Sequence, residues 1–171
     1  MKNIKIYSWC SDISNSTGEG ILARKFLYHL SKKFNKKIIC QSTNKKKIFY
    51  YKNKESLKVN TKQNNLSFTQ KYILIFKGIY LIWRYHLRGY KTSYVNFLPL
   101  WNFLIFFLLP SKTILGPITG TKFIKKDQSL NTFIRAYLFP VFFKLSIFIM
   151  FNKWKYFLFS TDLLKDEVPK K

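Results

Sequence analysis

Residues 4–41 read IKIYSWCSDISNSTGEGILARKFLYHLSKKFNKKIICQ, and this stretch decides the fold. Ile4-Lys5-Ile6-Tyr7-Ser8-Trp9 alternates and is rich in β-formers, which predicts a first strand. Ser11 to Gly20 has the Ser, Asn, Thr and Gly content of a loop. From Gly20 to Phe34, residues Ala23, Phe26, Leu27, Leu30 and Phe34 fall at i, i+3, i+4, i+7 and i+11, the mark of one helical face. Lys32 and Lys33 lie in its last turn, where positive charge suits the carbonyl end of the helix dipole. Ile38-Ile39-Cys40 then supplies a second strand, completing a βαβ unit.

Further along the chain the alternation continues. Lys47–Tyr51 and Ser56–Val59 read as a hairpin around Asn53-Lys54. Ser67 reads as the cap of a helix whose face is Tyr72, Phe76, Ile79, Tyr80, Trp83 and Leu87, with Gly89 as its stop. Ser93–Phe97 reads as a strand, Pro99 as the first residue of a helix that Pro110 ends, and Lys112–Leu115 as the next strand. A long helix is expected from about Leu130 to Asn152, kinked at Pro140, which lacks a backbone donor. Tyr156–Ser160 closes as a final strand. Strands alternating with helices predict the α/β class: a Rossmann-like parallel sheet with helices on both faces, residues 1–171 forming a single domain.

Composition narrows the function classes. The 171 residues, 47% of them hydrophobic, suffice for a core and exclude a disordered chain. Cys10 and Cys40 cannot make a disulfide framework or a zinc motif, which suits a reduced, cytoplasmic compartment. The net charge of +24 has two open explanations. Lys, Asn, Ile and Phe are abundant together, as an AT-rich genome would impose on any protein. Alternatively, the surface attracts polyanions: donor phosphates, nucleic acid, or an anionic membrane at its inner face. Arginine occurs four times only, and nucleic-acid readers lean on its planar fork, so nucleic acid ranks below membrane. Neither long apolar run predicts a membrane span. The helical part of Phe97–Pro110, at about 1.5 Å per residue, reaches roughly half of the ~30 Å hydrocarbon layer. Phe133–Phe151 contains Arg135, Pro140 and Lys144, and a lysine near its centre costs roughly 2.5–3.5 kcal/mol.

Three segments could carry chemistry. Ser16-Thr17-Gly18-Glu19-Gly20 follows the first strand and opens a helix, where glycines let the backbone approach a phosphate or sugar and free N–H groups face an anion. Glu19 there either accepts from a sugar hydroxyl or simply favours the positive helix start. Gly116-Pro117-Ile118-Thr119-Gly120 sits at the carboxyl end of a later strand, the edge where open α/β sheets bind ligands; a purely structural turn is the alternative. Asn96-Phe97-Leu98-Pro99-Leu100-Trp101-Asn102 puts two amides in an apolar stretch, where they satisfy backbone groups or line a cleft. No paired acids, Gly-x-Ser-x-Gly elbow or Asp-x-Asp accompanies them, and Cys10 has no histidine placed to activate it.

Ser16-Thr17-Gly18-Glu19-Gly20 with Ala23, Phe26 and Leu30, followed by Ile114 to Gly120 and by Phe157-Leu158-Phe159-Ser160-Thr161, resembles the N-terminal domain of bacterial GT-B glycosyltransferases, family-4-like, over almost the whole chain. The resemblance implies an acceptor-binding half of a hexosyltransferase, moving sugar from a nucleotide-sugar donor to a glycan or lipid-linked acceptor, with no other cofactor and no metal. It implies a donor-phosphate or acceptor loop at Gly18, Glu19 and Gly20, and a cleft lined by Asn96, Gly116, Pro117, Thr119 and Gly120; no residue is assigned as catalytic. The chain departs from the family in two ways. Asn96–Asn102 contains no histidine, and His29 and His86 fall on predicted helices as partly buried residues. The donor-side half, with its pair of glutamates, is missing, since the only glutamates are Glu19, Glu55 and Glu167. A truncated or split enzyme, inactive without a separate donor-domain chain, is therefore expected. The rival from another class is a basic, non-enzymatic protein that docks on membranes or nucleic acid.

Overall fold

The computed structural model describes residues 5–13, 18–42, 47–50, 68–96, 98–118 and 137–160. The chain divides into two compact units, Met1–Phe97 with Leu109–Gly116, and Leu98–Leu108 with Pro117–Lys171.

The first unit contains β1 (Ile6–Cys10), α1 (Gly18–Phe34), β2 (Ile38–Ser42), β3 (Lys47–Tyr50), α2 (Phe68–Leu87), β4 (Lys91–Tyr94) and β5 (Ile114–Leu115). They form one sheet in the order β3-β2-β1-β4-β5. β1 pairs in parallel with β2 and β4, and β4 with β5, while β3 runs antiparallel to β2 at the edge. Lys47–Tyr50 pairs antiparallel with Ile38–Gln41, while Ser56–Val59, the other strand of the expected hairpin, lies outside the described residues. Four residues separate β2 from β3, a loop length that favours an antiparallel turn-back.

Strand parity places a helix on each face. Ile6, Ser8 and Cys10 point to one side, where Ile38, Cys40 and Val95 join Ala23, Leu27 and Leu30 of α1 in a buried apolar cluster. Tyr7 and Trp9 point to the other. There Tyr7 stacks on Tyr85 of α2 at 3.8 Å, and a Cβ added to Gly78 of α2 would lie 2.3 Å from the Trp9 indole nitrogen. The absent side chain is what lets the indole sit under the helix. A Rossmann-like α/β fold is therefore established, with an antiparallel edge strand added to four parallel ones.

Both long helices end as their sequences predict. Asn35 adopts φ 49°, with its N–H donating to the Lys32 carbonyl at 3.2 Å and that of Lys36 to the Ser31 carbonyl at 3.3 Å. Gly89 has φ 78° and stops α2, the Tyr90 N–H donating to the Tyr85 carbonyl at 3.1 Å.

The second unit contains α3 (Phe103–Leu108) and α4 (Phe139–Lys153), which pack on each other. α3 starts four residues after Pro99, because Pro99 to Asn102 closes a turn first, the Asn102 N–H donating to the Pro99 carbonyl at 3.0 Å. α4 buries Phe143, Ser146, Ile147 and Met150, a one-face spacing of i, i+3, i+4 and i+7. Pro140 occupies the first turn of α4, directly after a π-helical turn at Tyr137 and Leu138; residues 130–136, where the expected helix would begin, lie outside the described part. Trp101 stacks on Phe139 at 5.3 Å, and the Ser146 hydroxyl donates to the Leu100 carbonyl at 2.5 Å. The Lys153 ammonium donates to the carbonyls of Phe106 (3.1 Å) and Phe107 (2.5 Å), capping the end of α3. Burial there holds the Lys153 amine below its ordinary range. The strand expected over Tyr156–Ser160 reduces to one parallel bridge between Phe159 and Ile118. No helix among the described residues is long and apolar enough to cross a membrane.

Candidate functional site

Because β1, β4 and β5 run in parallel, their carboxyl ends share one rim, and the first unit's candidate residues follow those ends. Ser11 and Asp12 continue from β1, Asn96 from β4 and Gly116 from β5, while Gly18, Glu19 and Gly20 form the first turn of α1.

Asn96 is the rim's fastener. Its Oδ1 accepts from the Ser11 N–H at 2.7 Å, the Ser11 hydroxyl at 2.9 Å and the Asp12 N–H at 3.4 Å, and its Nδ2 donates to the Asp12 carbonyl. One buried amide thus satisfies the backbone where β1 leaves the sheet. Every polar atom of its side chain is engaged, so the backbone-satisfying reading fits it, and it does not face a cleft with a free group.

The glycines differ in what they leave open. A Cβ on Gly116 would fall 1.9 Å from the Val95 carbonyl oxygen, and the Gly116 N–H donates to the Tyr94 carbonyl at 2.8 Å. Close passage of β5 along β4 accounts for that glycine without a ligand. Gly18, by contrast, is exposed and has nothing within 4 Å of where its Cβ would stand. No packing demand accounts for a glycine at position 18. Gly20 is buried. Pro117 is partly buried in the second unit, while Thr119 and Gly120 lie outside the described residues, as do Ser16 and Thr17.

Glu19 is partly buried at the head of α1, and burial, then the charge of Asp12, pushes its carboxyl above the usual range. Asp12 was not singled out in the sequence. Its position two residues past the end of β1, on the ligand-binding edge of the sheet, was the available signal. A carboxyl raised by burial beside a second acid can accept from a hydroxyl, and it keeps its proton to a higher pH than a free carboxyl does.

Cys10 offers no nucleophile. It is fully buried, 3.4 Å from the Cys40 sulfur, whose thiol donates to it, and burial above all drives its pKa well above the thiol range. On the opposite face Trp9 Nε1 and the Tyr94 hydroxyl are buried without a well-formed hydrogen bond. Burial raises the Tyr94 hydroxyl, and the nearby Trp9 N–H offsets this in part. His86 is partly buried on α2 as expected, with Trp83 edge-on at 5.9 Å, whereas His29 is exposed on α1. Neither stands at the rim.

These features define a doubly wound α/β domain with a glycine-headed helix at its carboxyl rim. Comparison with protein-family models, with curated proteins and with solved structures finds no match to this chain.

Proposed function

We propose that this chain is the acceptor-binding half of a two-domain glycosyltransferase, acting on a nucleotide-sugar and a glycan or lipid-linked acceptor together with a donor-side domain supplied by further polypeptide. The observation that supports it is the open turn at Gly18 on the carboxyl rim, beside the partly buried Glu19 and next to Asp12. The positive end of a 17-residue helix suits a phosphate oxygen, and the two acids suit sugar hydroxyls. Asn96 would hold this rim in shape. No catalytic residue is assigned, and none of this chain's three glutamates forms a donor-binding pair.

Ligand-observed NMR tests this reading with a nucleotide-sugar and a short glycan as probes. Wild type should show weak saturation transfer to one of them. Gly18→Asp, which meets no neighbour, should melt like wild type yet bind about tenfold more weakly, because it sets a negative charge at the helix head. Absence of transfer to both probes, or binding indifferent to Gly18→Asp, removes the proposal. The isolated chain should transfer no sugar; turnover would refute the need for a donor-side domain.

A further inference from the structure

α2 carries two apolar faces, and the sheet uses only one. Ile75, Gly78, Ile79 and Ile82 are buried toward β1 and β4, as the Trp9 contact at Gly78 requires. On the outer side Ile73, Phe76, Tyr80, Trp83 and Leu87 are exposed, Ile73 at 62%, Tyr80 at 64% and Leu87 at 78%. At 3.6 residues per turn these five fall within about 80° of the circumference, a continuous stripe some four turns long. The remaining exposed side chains of the helix from Ile73 onward are Lys77 and Arg84, which border the stripe on one side. The sequence of α2 contains no Asp or Glu.

We propose that this stripe is a docking surface for an anionic lipid bilayer, with the helix lying in the interface plane. An exposed apolar strip over several turns is more than scattered surface residues supply and calls for a covering phase. Tyr80 and Trp83 hold the mid-stripe positions with ring bodies suited to the headgroup boundary, and the bordering cations select negative lipid. The chain's +24 charge acts in the same direction. A second copy of the chain fits poorly: antiparallel stripes face to face would bring Lys77 and Arg84 of both copies together, and in either orientation neither helix offers an acid to pair with them. Single-stranded nucleic acid fits poorly as well, because Ile73 and Leu87 offer no ring for a base and two cations make few phosphate contacts. The inference stands on the surface of α2 alone and not on sugar transfer.

The test is flotation of the full chain with vesicles of phosphatidylcholine, with and without phosphatidylglycerol, at low and high salt. Wild type should float with the anionic vesicles, keep part of that binding at high salt, and bind neutral vesicles weakly. Phe76→Ser/Trp83→Ser should lose the salt-resistant part by about tenfold or more. Lys77→Glu/Arg84→Glu should weaken low-salt binding by about tenfold, and by more than Lys32→Glu/Lys33→Glu, a matched charge change on exposed positions of α1. Should the apolar pair fail to fold, judged by its melt, the two charge variants decide alone. No vesicle binding by wild type, wild-type binding by both α2 variants, or equal losses from the α1 and α2 charge changes each overturns the proposal. So does stripe-dependent dimerisation in light scattering, or stripe-dependent RNA binding, without flotation. No sugar is involved, so a failure here leaves the sugar-transfer reading standing.

Discussion

On the α1 face the strands offer Ile6, Cys10, Ile38, Cys40 and Val95 to Ala23, Leu27 and Leu30, whereas on the α2 face they offer Tyr7, Trp9 and Tyr94 to a helix with a glycine at its closest approach. Aliphatic surfaces interlock in many near-equivalent ways and yield slightly when one member changes. A rigid indole seated where a side chain has been deleted has one solution. The aromatic face therefore fixes how α2 sits, and the aliphatic face holds α1, whose head forms the candidate site. Shape specificity and chemistry fall on opposite sides of one sheet.

Gly78→Val presses hardest on this contrast. Its β-branch would occupy the space of the Trp9 ring, and we expect a loss of about 3 kcal/mol or more in denaturant unfolding, with partial recovery when Trp9→Phe is added. A stable Gly78→Val protein would mean that the α2 face is as forgiving as the other. Leu27→Ala, fully buried on the α1 face, should cost about 2.5 kcal/mol through lost burial and a residual cavity. A larger cost there than at Gly78 would reverse the ranking of the two faces.

The smallest effect belongs to Glu19→Gln. Burial first and Asp12 second raise the Glu19 carboxyl, so its ionised form is less at ease in the folded chain than in the unfolded one. The stability linked to this group is complete below the ordinary carboxylate range and is lost as pH rises through the raised folded value. Glutamine should therefore lift the melting temperature by about 2 °C at neutral pH, a small gain because the group is partly wet, and by nothing in acid. A lower melting temperature at neutral pH would show that the helix dipole outweighs burial at this position.

Much of the sheet was legible because its units are local. The alternation in Ile6–Trp9 and the face of Ala23, Leu27 and Leu30 fix β1 and α1 from neighbours in sequence, and Gly89 marks the end of α2 by its own backbone freedom. The partner of β3 was not legible, since period-two patterning says that a strand forms but not which edge it joins. Likewise Tyr156–Ser160 reads as a strand yet makes one bridge, because pairing depends on what lies alongside. In the candidate site, the glycines were visible and their reasons were not. Gly116 is bare to clear Val95, an approach 21 residues apart that no local pattern encodes, and the Asn96 fastener spans 84 and 85 residues. Asp12 was hidden by its ordinariness: one acid in a polar loop gains meaning only when the neighbouring helix head carries a second.

Gly116 has a consequence for how this chain can drift. Every missense change of a glycine codon inserts at least a Cβ, and here that atom would strike the Val95 main chain just past β4, which no side-chain rearrangement can relieve. The position has no conservative neighbour in mutational space. Lineages carrying this fold should keep the residue even where the surrounding lysines are freely exchanged, and a random-mutagenesis library selected only for folded protein would be depleted at codon 116 before any selection for activity is applied.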